Sequence, residues 1–370
     1  MAQQGINPKQ IKSFNDTALL YLLSNEGMLS RKAISEKLNL TAAAVSKITK
    51  RLIDEDKIEE LGVSTQESER VGRKEVLLSL KSHDKMSLCI TAELEMVTYA
   101  ICDVSGSLIK VQSYPFFDDT ALIVERAKQF LQANVADMSK FIGIGLCVVG
   151  SVKRDAFGVW NNEKLAAMLE QELSLPVAVE NNVKAYALAE LIYDNVGKDA
   201  SVLFFKWGSG IGSAVAVSGQ LLMDTDYSLT EIGHYIVDPT GAKCRCGRYG
   251  CLETVASADE ISKELGGMKL AQIVESTDRK VEHVLDQKID TVALALTNTA
   301  TILNAQKIIL FGKMFENNLI VEKLERQCAR YNNNFKRNKI VTGDLSAKSA
   351  YIGAAAVSAQ EFFFTGNHKK

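Results

Sequence analysis

Cys244, Cys246 and Cys251, with His234 ten positions ahead of the first of them, constrain this chain more than any other feature. They stand in the run Lys-Cys-Arg-Cys-Gly-Arg-Tyr-Gly-Cys-Leu-Glu. Three thiolates and one imidazole are the donor set of a closed, tetrahedral structural zinc site with no ligand position left open. Gly247 and Gly250 fall where a short loop must fold back so that three sulfurs meet one ion. A loop stapled in this way, flanked by Glu231 and Glu253, would make a rigid wall for a small-molecule pocket.

The remaining four cysteines carry no such pattern. Cys89, Cys102 and Cys147 sit in apolar, strand-like runs and Cys328 in a helical one, so they read as buried, inert thiols. The first residues, Met-Ala-Gln-Gln-Gly-Ile-Asn, lack the basic and apolar parts of an export signal, which argues against a disulfide framework. No apolar run approaches the roughly 20 residues of a membrane span. The expected compartment is the cytoplasm, with no membrane partner. A chain of 370 residues, 46% hydrophobic, can build two or three domains around a sizeable core. The formal charge of -2 favours no polyanion overall.

Locally the balance differs. Residues 1–53 hold eight basic groups against three acidic ones. Apolar residues recur at helical spacing over 10–26 (Ile11, Phe14, Ala18, Leu19, Tyr21, Leu22), and Gly27 closes that helix. Ser30 caps a short second helix with Ile34, Leu38 and Leu40 on its apolar side. Asn39 and Leu40 form a turn, and Thr41 caps a third helix reaching about residue 55, with Val45, Ile48, Leu52 and Ile53 inward. This is a helix-turn-helix, whose last helix enters the DNA major groove. Its outward face carries Thr41, Ala43, Ala44, Ser46, Lys47, Lys50 and Arg51. Small side chains there allow close approach and methyl contact with thymine, while the basic ones reach phosphates. Residues 58–62 and 75–80 read as two strands joined by a polar loop with Arg70, Arg73 and Lys74, the wing of a winged helix-turn-helix spanning 1–80. A charged helix face can also be merely solvated, and a small helical module can serve protein contact; here turn spacing, caps, basic face and basic wing agree.

From residue 85 onward, strands and helices alternate twice over. Strands are expected at 87–91, 97–102, 108–113, 141–149, 177–179, 201–206, 212–217 and 307–311. Helices are expected near 121–136, 165–172, 183–193, 318–331 and from Gly353. Each half has a glycine-rich strand-turn, so the pattern implies two α/β lobes with a cleft between them. The first lobe would comprise 85–190 and 355–370; the second, with the zinc loop, 191–354. Trp160 and Trp207 read as core rather than as sugar-stacking platforms.

Glu231-Ile232-Gly233-His234 leading to the cysteine run, Leu175-Pro176-Val177-Ala178-Val179-Glu180-Asn181-Asn182, and Gly208-Ser209-Gly210-Ile211-Gly212 together resemble the ROK family. That family groups sugar kinases with sugar-responsive repressors on an actin-like, two-lobed fold. The resemblance covers nearly the whole chain, and repressor members carry a winged helix-turn-helix in front, as here. It implies that Asn181, Asn182, Glu231, His234 and Glu253 contact sugar hydroxyls, the carboxylates accepting charge-assisted bonds. Alternative readings stay open: surface salt bridges for Glu231 and Glu253, a helix cap for Asn181 and Asn182, a core position for His234.

The resemblance also exposes three departures from a kinase. The position of the catalytic aspartate is Asn182, whose amide cannot accept a proton at neutral pH. The first phosphate loop reads Thr91-Ala92-Glu93-Leu94-Glu95, without glycine and with two carboxylates. The second keeps Gly312 but continues Lys313-Met314. The implied function is a transcriptional repressor of carbohydrate-metabolism genes, not an enzyme. It would bind operator DNA as a homodimer or tetramer and be relieved by a sugar or sugar phosphate. An active ROK sugar kinase and a repressor controlled by a partner protein are the alternatives.

Overall fold

The computed structural model describes residues 8–63, 75–93, 96–117, 119–150, 162–194, 201–222, 230–332 and 340–365. Arg70, Arg73, Lys74, Leu94, Glu95 and Trp160, named above, lie outside the described residues.

The N-terminal winged helix-turn-helix, the reader, is built from α1 (Pro8–Glu26), β1 (Leu29–Ser30), α2 (Arg31–Leu38) and α3 (Ala42–Asp54), followed by the wing strands β2 (Ile58–Val63) and β3 (Val76–Leu80). Both anticipated caps are present. Ser30 accepts from the Ala33 amide at 3.2 Å and Thr41 from the Ala44 amide at 3.2 Å. Asn39 closes α2 in the left-handed conformation at φ 52°, which its short polar side chain tolerates. The wing sheet runs β1-β3-β2. Val45, Ile48 and Leu52 are buried as expected, and so are Leu19 and Leu22 of α1, but the first part of the α1 stripe is not. Leu19, Leu20, Leu22 and Leu23 are buried, whereas Ile11 and Phe14 are 46% and 62% exposed.

The body contains two five-stranded sheets of the same topology. The first is ordered β6-β5-β4-β7-β8, from β4 (Met86–Ala92), β5 (Met96–Asp103), β6 (Leu108–Pro115), β7 (Phe141–Val148) and β8 (Val177–Asn181). Helices α4 (Thr120–Asn134), α5 (Asn162–Leu173) and α6 (Asn182–Tyr193) are interleaved with these strands or follow them. The second is ordered β11-β10-β9-β12-β13, from β9 (Ser201–Trp207), β10 (Ile211–Val217), β11 (Gln220–Leu221), β12 (Lys307–Phe311) and β13 (Ile340–Thr342). In each sheet an antiparallel meander continues into two parallel strands. The repeated order is that of a duplicated α/β unit.

Between β11 and β12 come α7 (Leu252–Ala256), α8 (Ala258–Glu264), α9 (Leu270–Glu275) and the long α10 (Arg279–Ile302); α11 (Asn318–Tyr331) follows β12 and α12 (Ile352–Ala359) follows β13. α12 packs across β4, β7 and β8, so the chain returns to the first sheet at Ile352, before position 355. The approach is close: a Cβ on Gly145 of β7 would overlap the Ala354 carbonyl. α6 contacts both sheets, α12 and α1. One apolar cluster therefore runs from Leu19, Ile34 and Leu52 of the reader through Tyr186 and Ile192 of α6 to Phe311 and Phe364. Trp207 is fully buried, its indole N–H donating to the Ala256 carbonyl at 2.7 Å. Among the described residues no helix is long and apolar enough to cross a membrane.

Candidate functional site

The backbone turns of the cysteine loop explain its glycines. Gly250 has φ +64° and Gly247 φ +90°. A side chain on Gly250 would collide with the Asp238 carbonyl, so the loop closes only with glycine there. The Gly250 carbonyl accepts from the Val237 amide at 2.9 Å, and Leu252 donates to the Tyr235 carbonyl at 2.7 Å. These bonds fold the segment after His234 back against Cys251.

One ligand atom from each of His234, Cys244, Cys246 and Cys251 lies within 4.8 Å of all the others. Cys244 Sγ is 3.5 Å from His234 Nδ1, and Cys246 Sγ is 3.6 Å from Cys251 Sγ. Bonds of about 2.3 Å to sulfur and about 2.0 Å to nitrogen around one zinc set tetrahedral edges of about 3.5–3.8 Å. The donor set therefore fits zinc in number, chemistry and spacing. Nδ1 is the ring nitrogen aimed at the thiols; Nε2 lies 3.9 Å from Glu231 Oε2.

All five residues expected to meet a sugar line a single cleft: Asn181, Asn182, Glu231, His234 and Glu253. Asn181 is the N-cap of α6. Its Oδ1 accepts from the Val183 and Lys184 amides at 2.9 and 3.2 Å, and its Nδ2 donates to the Gly150 carbonyl at 2.9 Å. The cap reading of Asn181 thus holds, and it orients the amide within the cleft. Glu253, in the first turn of α7, accepts from the Ile211 amide at 3.0 Å and from Arg245 at 2.8 Å. Partial burial raises the Glu231 carboxyl above its ordinary range, against the pull of Lys184.

Sequence reasoning missed Lys206 and Arg245 as parts of this wall. Lys206 Nζ donates to Glu93 Oε1 at 2.5 Å, and Asn182 Nδ2 donates to the same oxygen at 2.7 Å. Burial alone would raise Glu93, but the ammonium and the amide outweigh it and hold the carboxyl below its usual value. Glu93 is thus an ionised acceptor shared by two donors. On the opposite strand-turn, Gly312 is followed by Met314 and Phe315, both buried, with the Phe315 ring 5.8 Å from that of Trp207.

The candidate DNA face lies on α3. Thr41, Ala43, Ser46, Lys47 and Lys50 are exposed and Ala44 is half-buried, while Val45, Ile48, Thr49 and Leu52 form the opposite, buried stripe. Arg51 differs from its neighbours. It is half-buried and clamps Asp16 of α1 through both Nη2 and Nε, the latter at 3.1 Å, so it packs α3 against α1. Arg31 at the start of α2 reaches Thr49 at 3.1 Å and Glu60 of β2 at 2.7 Å, which fixes the helix pair against the wing.

Comparison with known proteins agrees with both halves. Residues 88–361 match the ROK family, and residues 15–59 match a winged helix-turn-helix DNA-binding domain. The chain is 24% identical over 383 positions to the DNA-binding transcriptional dual regulator NagC of Escherichia coli, covering 95% of this chain and 93% of that one. It is 23% identical to the xylose repressor of Bacillus subtilis, covering 84% and 85%. Among solved structures, a ROK family transcriptional regulator described as a homolog of the Escherichia coli Mlc protein superposes with a TM-score of 0.72 at 21% identity, covering 96% of this chain and 98% of that one. A ROK family glucokinase from Streptomyces griseus, in complex with glucose and AMPPNP, superposes at 0.65 and 18% identity, covering 75% of this chain and all of that one. With the family match running over residues 88–361, well over half of its length, this chain belongs to the ROK family, and it carries a winged helix-turn-helix ahead of the family's α/β body.

Proposed function

We propose that this protein is a transcriptional repressor of carbohydrate-metabolism genes whose DNA binding is relieved by a sugar or sugar phosphate in the cleft. Among the proteins it resembles along most of its length, one is named a DNA-binding transcriptional dual regulator and two are repressors named for sugars. The observation that carries the reading is the cleft itself. It keeps hydroxyl-binding groups at Asn181, Glu231, His234 and Glu253, while the position of the kinase base is an amide donating to Glu93. An amide can orient a hydroxyl but cannot take its proton, and a positioned base contributes about 10²–10⁴-fold to a rate. By the family resemblance Glu93 belongs to the first phosphate loop, where its carboxylate would oppose a nucleotide, and buried Met314 and Phe315 follow the glycine of the second loop. In this reading zinc held by His234, Cys244, Cys246 and Cys251 fixes the loop bearing Arg245 and Glu253.

α6 links the two functions. Its first turn carries Asn181 and Asn182 in the cleft, and its body packs on α1 of the reader. A ligand relieves DNA binding only by as much as it prefers one arrangement of these parts to the other, typically 5–150-fold in affinity. The expected result is that one member of a panel of sugars and sugar phosphates weakens operator binding, measured by fluorescence anisotropy, by about that factor. ATP turnover stays at background across the panel. A sugar-dependent phosphorylation of steady, enzyme-like rate would overturn the proposal, as would operator affinity that follows a partner protein and no carbohydrate. Substituting Asn182→Asp alone is expected to leave turnover at background, because Glu93 and the second loop still oppose the nucleotide.

A further inference from the structure

Donors and acceptors in the cleft are unevenly engaged. Lys206 Nζ and Asn182 Nδ2 both donate to Glu93 Oε1, at 2.5 and 2.7 Å. Arg245 Nη2 donates to Glu253 Oε1 at 2.8 Å. The Ile211 amide, at the start of β10, donates to Glu253 Oε2 at 3.0 Å. The Val183 and Lys184 amides, in the first turn of α6, donate to Asn181 Oδ1 at 2.9 and 3.2 Å. An anion entering a cleft ordinarily uses groups of these kinds: an ammonium, a guanidinium, turn amides and a helix N-terminus. Here each of them already serves a side chain of the wall itself.

What remains for a ligand is acceptor-rich. With Nδ2 committed to Glu93, Asn182 has Oδ1 as the atom left to meet a ligand. Glu231 and Glu253 add carboxylate oxygens to the same wall. Among the described residues lining the cleft, the carboxylates of Glu93, Glu231 and Glu253 outnumber the cations Lys206 and Arg245 by one, and His234 belongs to the zinc set. Cations close by do not reverse this balance. Arg248 donates to the His234 carbonyl at 3.2 Å. Lys184 is buried, and burial still pushes the Glu231 and Glu180 carboxyls upward against its pull. One partner of each ion pair in the cleft is largely buried, the Lys206 side chain at 16% and that of Glu253 at 12% exposed, so solvent screens neither pair fully.

We infer, on the reading of the cleft proposed above, that it selects an uncharged sugar whose hydroxyls donate to Asn182, Glu231 and Glu253, and rejects the phosphate ester of that sugar. A phosphate ester carries about 1.5–2 negative charges at neutral pH, and its outer oxygens accept. To bind, it would have to draw Lys206 from Glu93 or Arg245 from Glu253. Either exchange leaves a carboxylate without its counter-charge beside the incoming anion. Like charges juxtaposed in this way discriminate against a ligand by about 100-fold or more. A sugar hydroxyl donates to an acceptor oxygen and disturbs neither ion pair. Selection therefore works through the penalty on the charged ligand as much as through contacts with the neutral one.

The test is calorimetric titration of the zinc-loaded, full-length protein at pH 8 with glucose, N-acetylglucosamine, mannose and xylose, each beside its terminal phosphate ester. At least one neutral sugar is expected to bind, and its ester to bind about 100-fold more weakly or not at all. The affinity for the neutral sugar should hardly change with salt. Glu93→Gln removes the competing charge and keeps an acceptor for Asn182. It releases Lys206, so the ester is expected to gain about tenfold relative to the neutral sugar, and its binding to this variant to weaken with salt. Lys206→Met should shift the preference the other way. A phosphate ester that binds the parent as well as its neutral sugar, or better, overturns the selection while leaving the carbohydrate cleft in place. So does a preference that neither variant moves. Failure of every sugar and every ester to bind the parent removes the carbohydrate cleft itself, and the selection with it.

Discussion

Replacing Cys251 with Ser is expected to remove bound zinc, lower the Tm of the body by about ten degrees or more, and abolish sugar binding. Structural zinc sites contribute folding energy directly, with apparent values of about 10–16 kcal/mol in isolated finger peptides. Cys251 is fully buried and is the N-cap of α7, so its sulfur stands at the junction between the loop and the helix carrying Glu253. Glu253 in turn holds the Ile211 amide at 3.0 Å and Arg245 at 2.8 Å. Loosening the loop therefore releases a cleft carboxylate and the start of β10 together. Chelation of the parent protein should reproduce the same loss of Tm and of sugar binding. Zinc content measured by atomic absorption, with melting by circular dichroism, decides the matter. A Cys251→Ser protein that keeps one zinc per chain, or loses zinc without a change in Tm, would refute the role given to the metal.

Local chemistry made much of this molecule readable from residues alone. Ser30, Asn39 and Thr41 place α2 and α3 because each supplies a side-chain oxygen or a left-handed turn that the backbone needs at that point. The four-residue metal set is similarly local, since its outermost donors, His234 and Cys251, are only 17 positions apart. What stayed hidden depends on partners distant in sequence. Glu93 is separated by 113 residues from Lys206 and by 89 from Asn182, and no spacing rule joins β4, β9 and α6. The sequence presents Glu93 only as a carboxylate in a loop without glycine; its pairing with a lysine depends on the two lobes coming together. The stripe of α1 departs in its first part for the same reason. Leu20 and Leu23 are buried within a cluster that α1 shares with α6 and α12, while Ile11 and Phe14 remain exposed. Residues 252–302 are a different case. Val281, Leu285, Ile289, Val292 and Leu296 repeat at helical spacing behind the cap Asp278, so α10 is legible in the sequence itself. Trp207 proved to be core because its ring is enclosed by the second sheet and its one donor is spent on Ala256.

Reversing both lysines on the exposed face of α3, Lys47→Glu with Lys50→Glu, is expected to weaken operator binding by about 100-fold or more and to flatten its salt dependence. Charge-assisted contacts contribute about 1.5–3 kcal/mol each, and each phosphate contact contributes about 0.9 to the slope of log affinity against log salt. The loss should fall almost equally on operator and non-operator DNA, because phosphates position the helix without reading sequence. Both side chains are exposed, so the melting temperature of the reader should not change. Arg51→Ala provides the contrast. Its guanidinium is spent on Asp16, between α3 and α1, so its removal should lower the stability of the reader while leaving the salt slope near that of the parent. Anisotropy titrations across a range of salt, paired with melting curves, separate the two outcomes. A steep slope that survives the double reversal would move the DNA contact off this face of α3. A slope that falls with Arg51→Ala would return Arg51 to the phosphate-binding set, and the ion pair with Asp16 would then have to open when DNA is bound.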